Sequence, residues 1–421
     1  MPNTLITPSW VMKEVTRLLV NNLKFASAVN RDYDNQYVQG GAKVGYTVNA
    51  RLPQQYIVSK GQTVTATGVT DRIVPITLTD QANVAIEFST ASETMEVDDY
   101  RDRYIMPAVA ALANTVDNDG LTRMYKQTWW TTGTPGVVPG STGTLPFAAN
   151  LAYMQATTKL TNYAVPVDGR VAVLSPEMQQ YLSAAQFLNF NPGGQISDFF
   201  RNGMFGRKAL GIDEWFMDQN VATHTIGLLG GTPRIVGAGQ TGTSILTDGW
   251  TGDLQVLNEG DVVQFAGCYT VNPQNRQSTG QLNDFVVAAD VTSDGAGAAT
   301  IPLRTANALT TAGVFQTVDA SPADNALISV FGVAQAGQAA LSALQTRQAM
   351  VFHPDAYTLV MADLEVPKNQ WIAERISNRQ LGISIRFVKG YNTETDQSLA
   401  RLDILYGWAA VRPEMGSRVA A

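Results

Sequence analysis

The sequence predicts an α+β protein of two or three folding units, with a small β-barrel inserted into an outer domain that resumes after it. Three observations lead there. Apolar residues recur at helical spacing after residue 93, two-residue alternation marks strands before it, and near residue 220 the composition shifts to Gly, Thr and Val in short strands. A chain of 421 residues exceeds the size that one apolar core usually serves, and 45% hydrophobic against 15% charged residues is the balance of a chain that folds.

The N-terminus reads as an amphipathic helix running to about Val29. Thr7 can cap it, Pro8 occupies the first helical position, and Val11, Val15, Leu18, Leu19 and Leu23 recur at three- and four-residue steps. Residues 30–37 are polar and aromatic without a period, so the helix belongs to an arm leaving the body. Residues 40–89 alternate, as in Val44-Gly45-Tyr46-Thr47-Val48 and Val84-Ala85-Ile86-Glu87-Phe88, with Gly61, Gly68 and Pro75 as interruptions. Their polar middle, residues 59–71, predicts a two-stranded ribbon; such a ribbon is marginally stable alone and should lean on a neighbouring molecule.

The longest helical pattern starts with Glu96, Asp98, Asp99 and Asp102, acids that favour the positive end of a helix dipole, and presents Ile105, Val109, Leu112 and Val116 on one face. Pro107 either opens a second helix or kinks the first, and Gly120 adds slack. After a Gly, Pro and Thr loop at 131–144 come a helix near 148–162, a strand at 170–174 and a helix from Pro176. Short strands at 261–265 and 284–287 are spaced as in a small barrel. From Ala349 a helix–strand alternation returns, with strands at 359–361, 383–388 and 402–406.

Charge and cysteine usage narrow the function. A formal charge of -7 and a pI near 5.0 disfavour gripping nucleic acid, which needs clustered Lys and Arg. The single cysteine, Cys268, makes no internal disulfide and fits a reducing compartment. The first residues lack a basic signal region and no apolar run approaches the ~20 residues of a membrane span, so synthesis in a cytoplasm and no membrane partner are expected.

The sharpest catalytic match is Gly237-Ala238-Gly239-Gln240-Thr241-Gly242, which has dinucleotide-loop spacing. That chemistry requires a following helix, yet Thr243-Ser244-Ile245-Leu246-Thr247 is β-like, so a turn is favoured. Asp117-Asn118-Asp119-Gly120 resembles part of a calcium loop, but the closing carboxylate position holds Lys126. His224 and His353 have no metal-ligand neighbours in sequence and read as incidental surface or strand residues. The acid pairs Asp98-Asp99 and Asp213-Glu214, if helical, point about 100° apart and share no site. Trp129-Trp130 reads as a packing anchor in preference to a sugar platform. No catalytic, cofactor-binding or metal-ligating residue is expected.

A family resemblance rests on Asp98-Asp99-Tyr100-Arg101-Asp102 with Leu112-Ala113-Asn114, Asn30-Arg31-Asp32-Tyr33, Gly260-Asp261-Val262-Val263-Gln264-Phe265-Ala266-Gly267, and Leu405-Tyr406-Gly407-Trp408 with Ala410-Val411-Arg412-Pro413-Glu414. In this order the set resembles coat proteins of the phage P-22 type. The resemblance implies a Hong Kong 97-type capsid fold: an N-terminal arm at 1–39, an E-loop at 40–80, and a peripheral domain at 81–147 with a spine helix at about 96–130. An axial domain at 148–221 would be interrupted by an insertion β-barrel at 222–346, with the axial and peripheral remainder at 347–421.

The implied function is that of a major capsid protein of a tailed bacteriophage. It would be made in the host bacterial cytoplasm and assemble as pentamers and hexamers into the icosahedral virion shell around double-stranded DNA, without sequence-specific contact. A scaffolding protein and a portal are implied, and a decoration protein is an open partner. The competing readings are a phage tail or decoration protein and, behind it, an enzyme acting on surface polysaccharide. An exposed ribbon that leans on its neighbours should carry their contacts, so Arg51, Lys60 or Arg72 is expected to pair with Glu93, Glu96, Asp98 or Asp99 of an adjacent copy.

Overall fold

The structure, a computed structural model, describes residues 23–31, 47–58, 68, 71–89, 106–141, 147–186, 210–367, 372–378, 383–392 and 397–421. The arm helix expected before residue 23, most of the polar ribbon, and the acidic residues 93–102 lie outside the described residues. Two compact units divide the chain: Met1–Arg51, Ile73–Gly120 and Tyr357–Val411 form one, and Leu52–Arg72, Leu121–Ala356 and Arg412–Ala421 form the other.

The first unit is built on the strand Gln397–Ala410. Its even positions Ala400, Leu402, Ile404, Tyr406 and Trp408 are buried, the period of a strand with one face on a core. It pairs antiparallel with Tyr357–Ala362 and with Ile383–Asn392, which in turn pairs with Ile372–Asn378. Asp80–Ser89 lies antiparallel to it as well, with Asp80 opposite Tyr406 and Ser89 opposite Gln397. Buried Asp403 breaks the apolar pattern and is neutralised by Arg386 at 2.6 Å and Arg401 at 2.5 Å. Thr47–Arg51 and Ile73–Thr77 form a two-stranded ribbon whose Val48, Ala50 and Ile76 are buried.

The long helix runs Met106–Met124, with Pro107 in its first turn, where a missing N–H costs little. Val109, Leu112 and Val116 are buried, as their spacing requires. Gly120 does not loosen the helix. A side chain there would begin 2.4 Å from the Trp408 ring, so glycine serves close packing in place of the slack expected from sequence. Phe25 of the short helix Phe25–Ala28 stacks on the same Trp408 ring at 5.1 Å.

The second unit contains a six-stranded mixed sheet. Its order is Trp130–Gly133, Gly416–Ala420, Gln345–Phe352, Val171–Leu174, Glu214–Met217, and Thr223–Thr225 pairs with Gln345–Phe352. The helix Phe147–Asn162 packs on it through Ala152, Tyr153, Ala156 and Leu160, and Pro176–Gln186 follows Val171–Leu174. The helix Phe147–Asn162, the strand Val171–Leu174 and the start of Pro176–Gln186 match their sequence-predicted positions within one residue, whereas Trp130–Gly133 is a strand where the loop was expected to begin and Gln345–Phe352 starts four residues earlier than expected.

Residues 226–344 form four small sheets around one apolar core. Arg234–Ile235, Ser244–Asp248 and Ala299–Pro302 make one, and Phe285–Val286, Val262–Phe265 and Ile328–Val330 another. Phe265 and Phe285 stack at 5.1 Å in the middle, both fully buried, each worth roughly 1.5–3 kcal/mol of transfer free energy.

The C-terminal stretch departs from expectation. Between residues 347 and 421 the described residues hold strands joined by the 3-10 turns Pro354–Ala356 and Pro413–Met415, with no α-helix. Ladder pairing of Gln397–Ala410 with several strands at once overrides any helical reading of its neighbours.

Candidate functional site

The features that looked catalytic resolve into structural chemistry. Gly237, Gly239 and Gly242 all have positive φ and lie in the connection between Arg234–Ile235 and Ser244–Asp248. Gln240 holds this turn closed: its amide donates to the carbonyls of Val236 at 2.6 Å and Leu246 at 3.0 Å, and its oxygen accepts from the Leu246 N–H at 2.7 Å. A strand follows where a phosphate-binding loop needs a helix. The calcium-like run sits inside the long helix: Asp117 accepts from the backbone N–H groups of Lys24 and Ala26, and Asp119 accepts from the Tyr406 hydroxyl. Among the described residues no cluster of three or more His, Cys, Asp or Glu could hold a metal ion.

Asp213 accepts from the Gly169 N–H, while Glu214 is exposed at the start of the strand Glu214–Met217. The pair lies at a strand start, not in a helix as supposed, and its members still do not converge. Trp129 and Trp130 are buried edge to face at 6.1 Å, both against Tyr163, and the Trp130 indole donates to the Glu414 carbonyl.

Sequence reasoning missed the polar ties between residues 226–344 and the six-stranded sheet. His224 is a strand residue but not an incidental one: it is buried, with Nδ1 3.1 Å from the Tyr125 hydroxyl and Nε2 2.7 Å from Asp261. Asp261 also accepts from the N–H groups of Gly227 and Asn258. Burial pushes the Tyr125 hydroxyl up to about 12, with Arg418 opposing and Asp261 and Glu259 adding to the rise. Arg418, fully buried, donates to the Gly260 carbonyl at 2.7 Å.

Nearby, Glu259 meets Lys126 at 3.0 Å and Arg304 at 2.5 Å. Partial burial would raise its carboxyl, but these two cations bring it below its usual range. Buried Asp284 accepts from Lys159 at 2.6 Å, from the Thr131 N–H at 2.9 Å and from Gln264 at 2.6 Å. No local period could reveal these pairs, because apart from Asn258 and Asp261 the partners are 20 to 158 residues apart.

Of the expected contact residues, Arg51 is exposed at the end of Thr47–Arg51. Arg72 lays its guanidinium 4.1 Å over the Phe315 ring. Lys60, Glu93, Glu96, Asp98 and Asp99 lie outside the described residues. Following Arg51, the run Tyr56, Ile57 and Val58 is solvent-exposed, at 67%, 44% and 84%. Beside it, residues 52–56 and Arg72 roof a cleft of about 370 Å³ over Tyr163, Gln274, Arg412 and Glu414.

Buried polar pairs thus tie the sheets together, and the features that looked catalytic in the sequence are spent on packing and turns. The chain belongs to the family described as P22 coat protein, gene protein 5, whose model matches residues 3–420. It is therefore a phage coat protein, the major subunit of a capsid. No curated protein matches it.

Similar solved structures include Mycobacterium phage Che8, at 14% identity and TM-score 0.46 over 94% of this chain and 90% of that one. The capsid of Ralstonia phage GP4 follows at 8% identity and TM-score 0.45 over 94% and 88%. A virus-like particle from Pyrococcus furiosus matches at 7% identity and TM-score 0.40 over 98% of both chains. The assignment rests on the family match. Among the described residues no helix is long and apolar enough to cross a membrane.

Proposed function

We propose that the chain is the repeating subunit of the icosahedral shell of a tailed bacteriophage, in a Hong Kong 97-type fold. In this reading residues 1–39 are the arm, 40–80 the E-loop, about 96–130 the spine helix, and 222–346 an inserted barrel within an axial domain. The observation that carries it, beside the family match, is the exposed apolar run Tyr56, Ile57 and Val58. A contiguous exposed apolar run of this kind marks a surface that another chain covers. Shell contacts must be individually weak enough to correct and numerous enough to hold, which suits overlapping loops.

Within that reading Arg51, Lys60 or Arg72 pairs with acids of a neighbouring copy, chosen from Glu93, Glu96, Asp98 and Asp99. Each exposed pair contributes about 0–1 kcal/mol, so their weight comes from repetition and from the apolar contacts beside them. Pentamers and hexamers, a scaffolding protein, a portal, and packaged DNA held without sequence-specific contact complete the scheme, with synthesis in the host cytoplasm and a decoration protein as an optional addition. A tail or decoration role is not favoured, because the family match spans residues 3–420.

Negative-stain microscopy of the purified protein tests this directly. Closed shells or polyheads are expected; fibres, rings or discrete small oligomers would overturn it. Glu96→Lys should then impair assembly while leaving the subunit folded, and an unchanged particle yield would remove the proposed pairing.

A further inference from the structure

Next to the cleft under residues 52–56 lies a smaller compartment of about 130 Å³, walled by Trp129, Tyr163, Phe315, Thr310 and Arg72. Two of its wall residues carry donors that meet no acceptor: the Trp129 indole N–H, on a side chain 4% exposed, and the Arg72 Nε–H. A buried unmade donor costs about 1–3 kcal/mol, so such a pair in one compartment points to an acceptor that enters it. The lining carries one cation, Arg72, and one carboxylate, Glu414. Glu414 is already paired with Arg412 at 3.3 Å, from outside the lining, while Arg72 makes no ion pair among the described residues, which leaves its charge for an entering anion.

We propose that this compartment receives an aspartate or glutamate side chain from a second copy of the chain, its carboxylate meeting the Trp129 and Arg72 N–H groups between aromatic walls. The proposal rests on the coat reading above and adds to it a specific socket. A second copy is favoured over a free anion because exposed Tyr56 lines the adjoining cleft and is followed in sequence by exposed Ile57 and Val58, apolar surroundings that suit a protein contact. Copies of this chain also offer the right partner, with 36 acidic against 29 basic residues. A side chain held by an Arg and a Trp in a desolvated pocket is where binding energy concentrates.

The test uses wild-type chain, Trp129→Phe, which keeps a ring and loses the N–H, and Arg72→Met, which keeps length and loses the charge. The critical concentration for particle formation is read by sedimentation, with glutarate as a small carboxylate probe followed by calorimetry. Each variant should raise the critical concentration about tenfold, the size of one charge-assisted hydrogen bond. Glutarate should raise it for wild type and have less effect on the variants. If wild type forms shells and both variants match it, as filling by water alone would give, the socket is refuted. Glutarate heat with wild type but unchanged assembly of both variants assigns the compartment to a free carboxylate and overturns the second-copy occupant. Absence of shells from wild type would sink the coat reading and the second-copy occupant together, an outcome distinct from failure of the variants alone.

Discussion

The Asp117 carboxylate caps a helix 91 residues away in sequence: it accepts the Ala26 N–H at 2.9 Å and, through its other oxygen, the Lys24 N–H at 2.7 Å. Helix N-termini leave such donors unpaired, and here no cap comes from the helix's own residues. Asp117→Ala strands both donors and should lower subunit stability by about 1–3 kcal/mol. Asp117→Asn, which keeps one acceptor oxygen, should lose less. Urea unfolding of the purified subunit checks this, and identical midpoints for wild type and Asp117→Ala would refute the cap.

What was legible in the sequence follows the same division between local and distant. The helix Phe147–Asn162 could be read because its own period encodes its buried face, and the strand Val171–Leu174 because a short unbroken apolar run suits a strand buried on both faces. The rejection of the Gly237 loop as a nucleotide site was legible too, since the β-like residues after it are local. The acids buried within each unit were not. Asp117, Asp261 and Asp284 look like any surface carboxylates until the fold supplies Ala26, His224 and Lys159 as their partners. Gly120 misled for a related reason: its role is set by Trp408, 288 residues later, and not by its helix.

The Asp261 carboxylate gathers three hydrogen-bonding groups in a fully buried site, so its loss should be felt across residues 226–344. Asp261→Ala removes the acceptor for His224, Gly227 and Asn258 and should cost about 3–5 kcal/mol, the range for breaking a buried charged network. His224→Ala should cost less, because Asp261 keeps its two backbone donors. Chemical denaturation of the subunit distinguishes them, and equal effects would show that the backbone contacts carry nothing.

Alkaline pH should loosen the same unit. Burial, with Asp319 adding to it, raises the Cys268 thiol from 9.0 to about 12, and burial raises Tyr125 from 10.0 to about 12. Both groups are neutral at low pH, so their contribution is complete below pH 9. As pH rises, the unfolded chain loses these protons first, and stability falls until the folded chain ionises near pH 12. The loss is on the order of a few kcal/mol in total. Melting temperature measured from pH 8 to 11 should fall, and Tyr125→Phe with Cys268→Ala should flatten the curve. A wild-type curve as flat as that of the double variant would contradict this account.

Two glycines of the first unit should differ in how badly they accept a methyl group. At Gly407 a Cβ would sit 2.1 Å from the Thr77 carbonyl oxygen, and that backbone is fixed by its ladder with Thr47–Arg51, so the strands would have to part. At Gly120 the Cβ would meet the Trp408 ring at 2.4 Å, a side chain that can shift at the expense of its stacking on Phe25. Alanine also favours the helix by about 1 kcal/mol over glycine. Gly120→Ala should therefore cost about 1–3 kcal/mol net, and Gly407→Ala distinctly more. Adding Trp408→Phe should recover part of the Gly120→Ala loss, because the smaller ring vacates the clashing position, and should recover none of the loss at Gly407. Thermal melts of the four variants decide it: rescue at both sites, or at neither, would mean that the ring is not what confines Gly120.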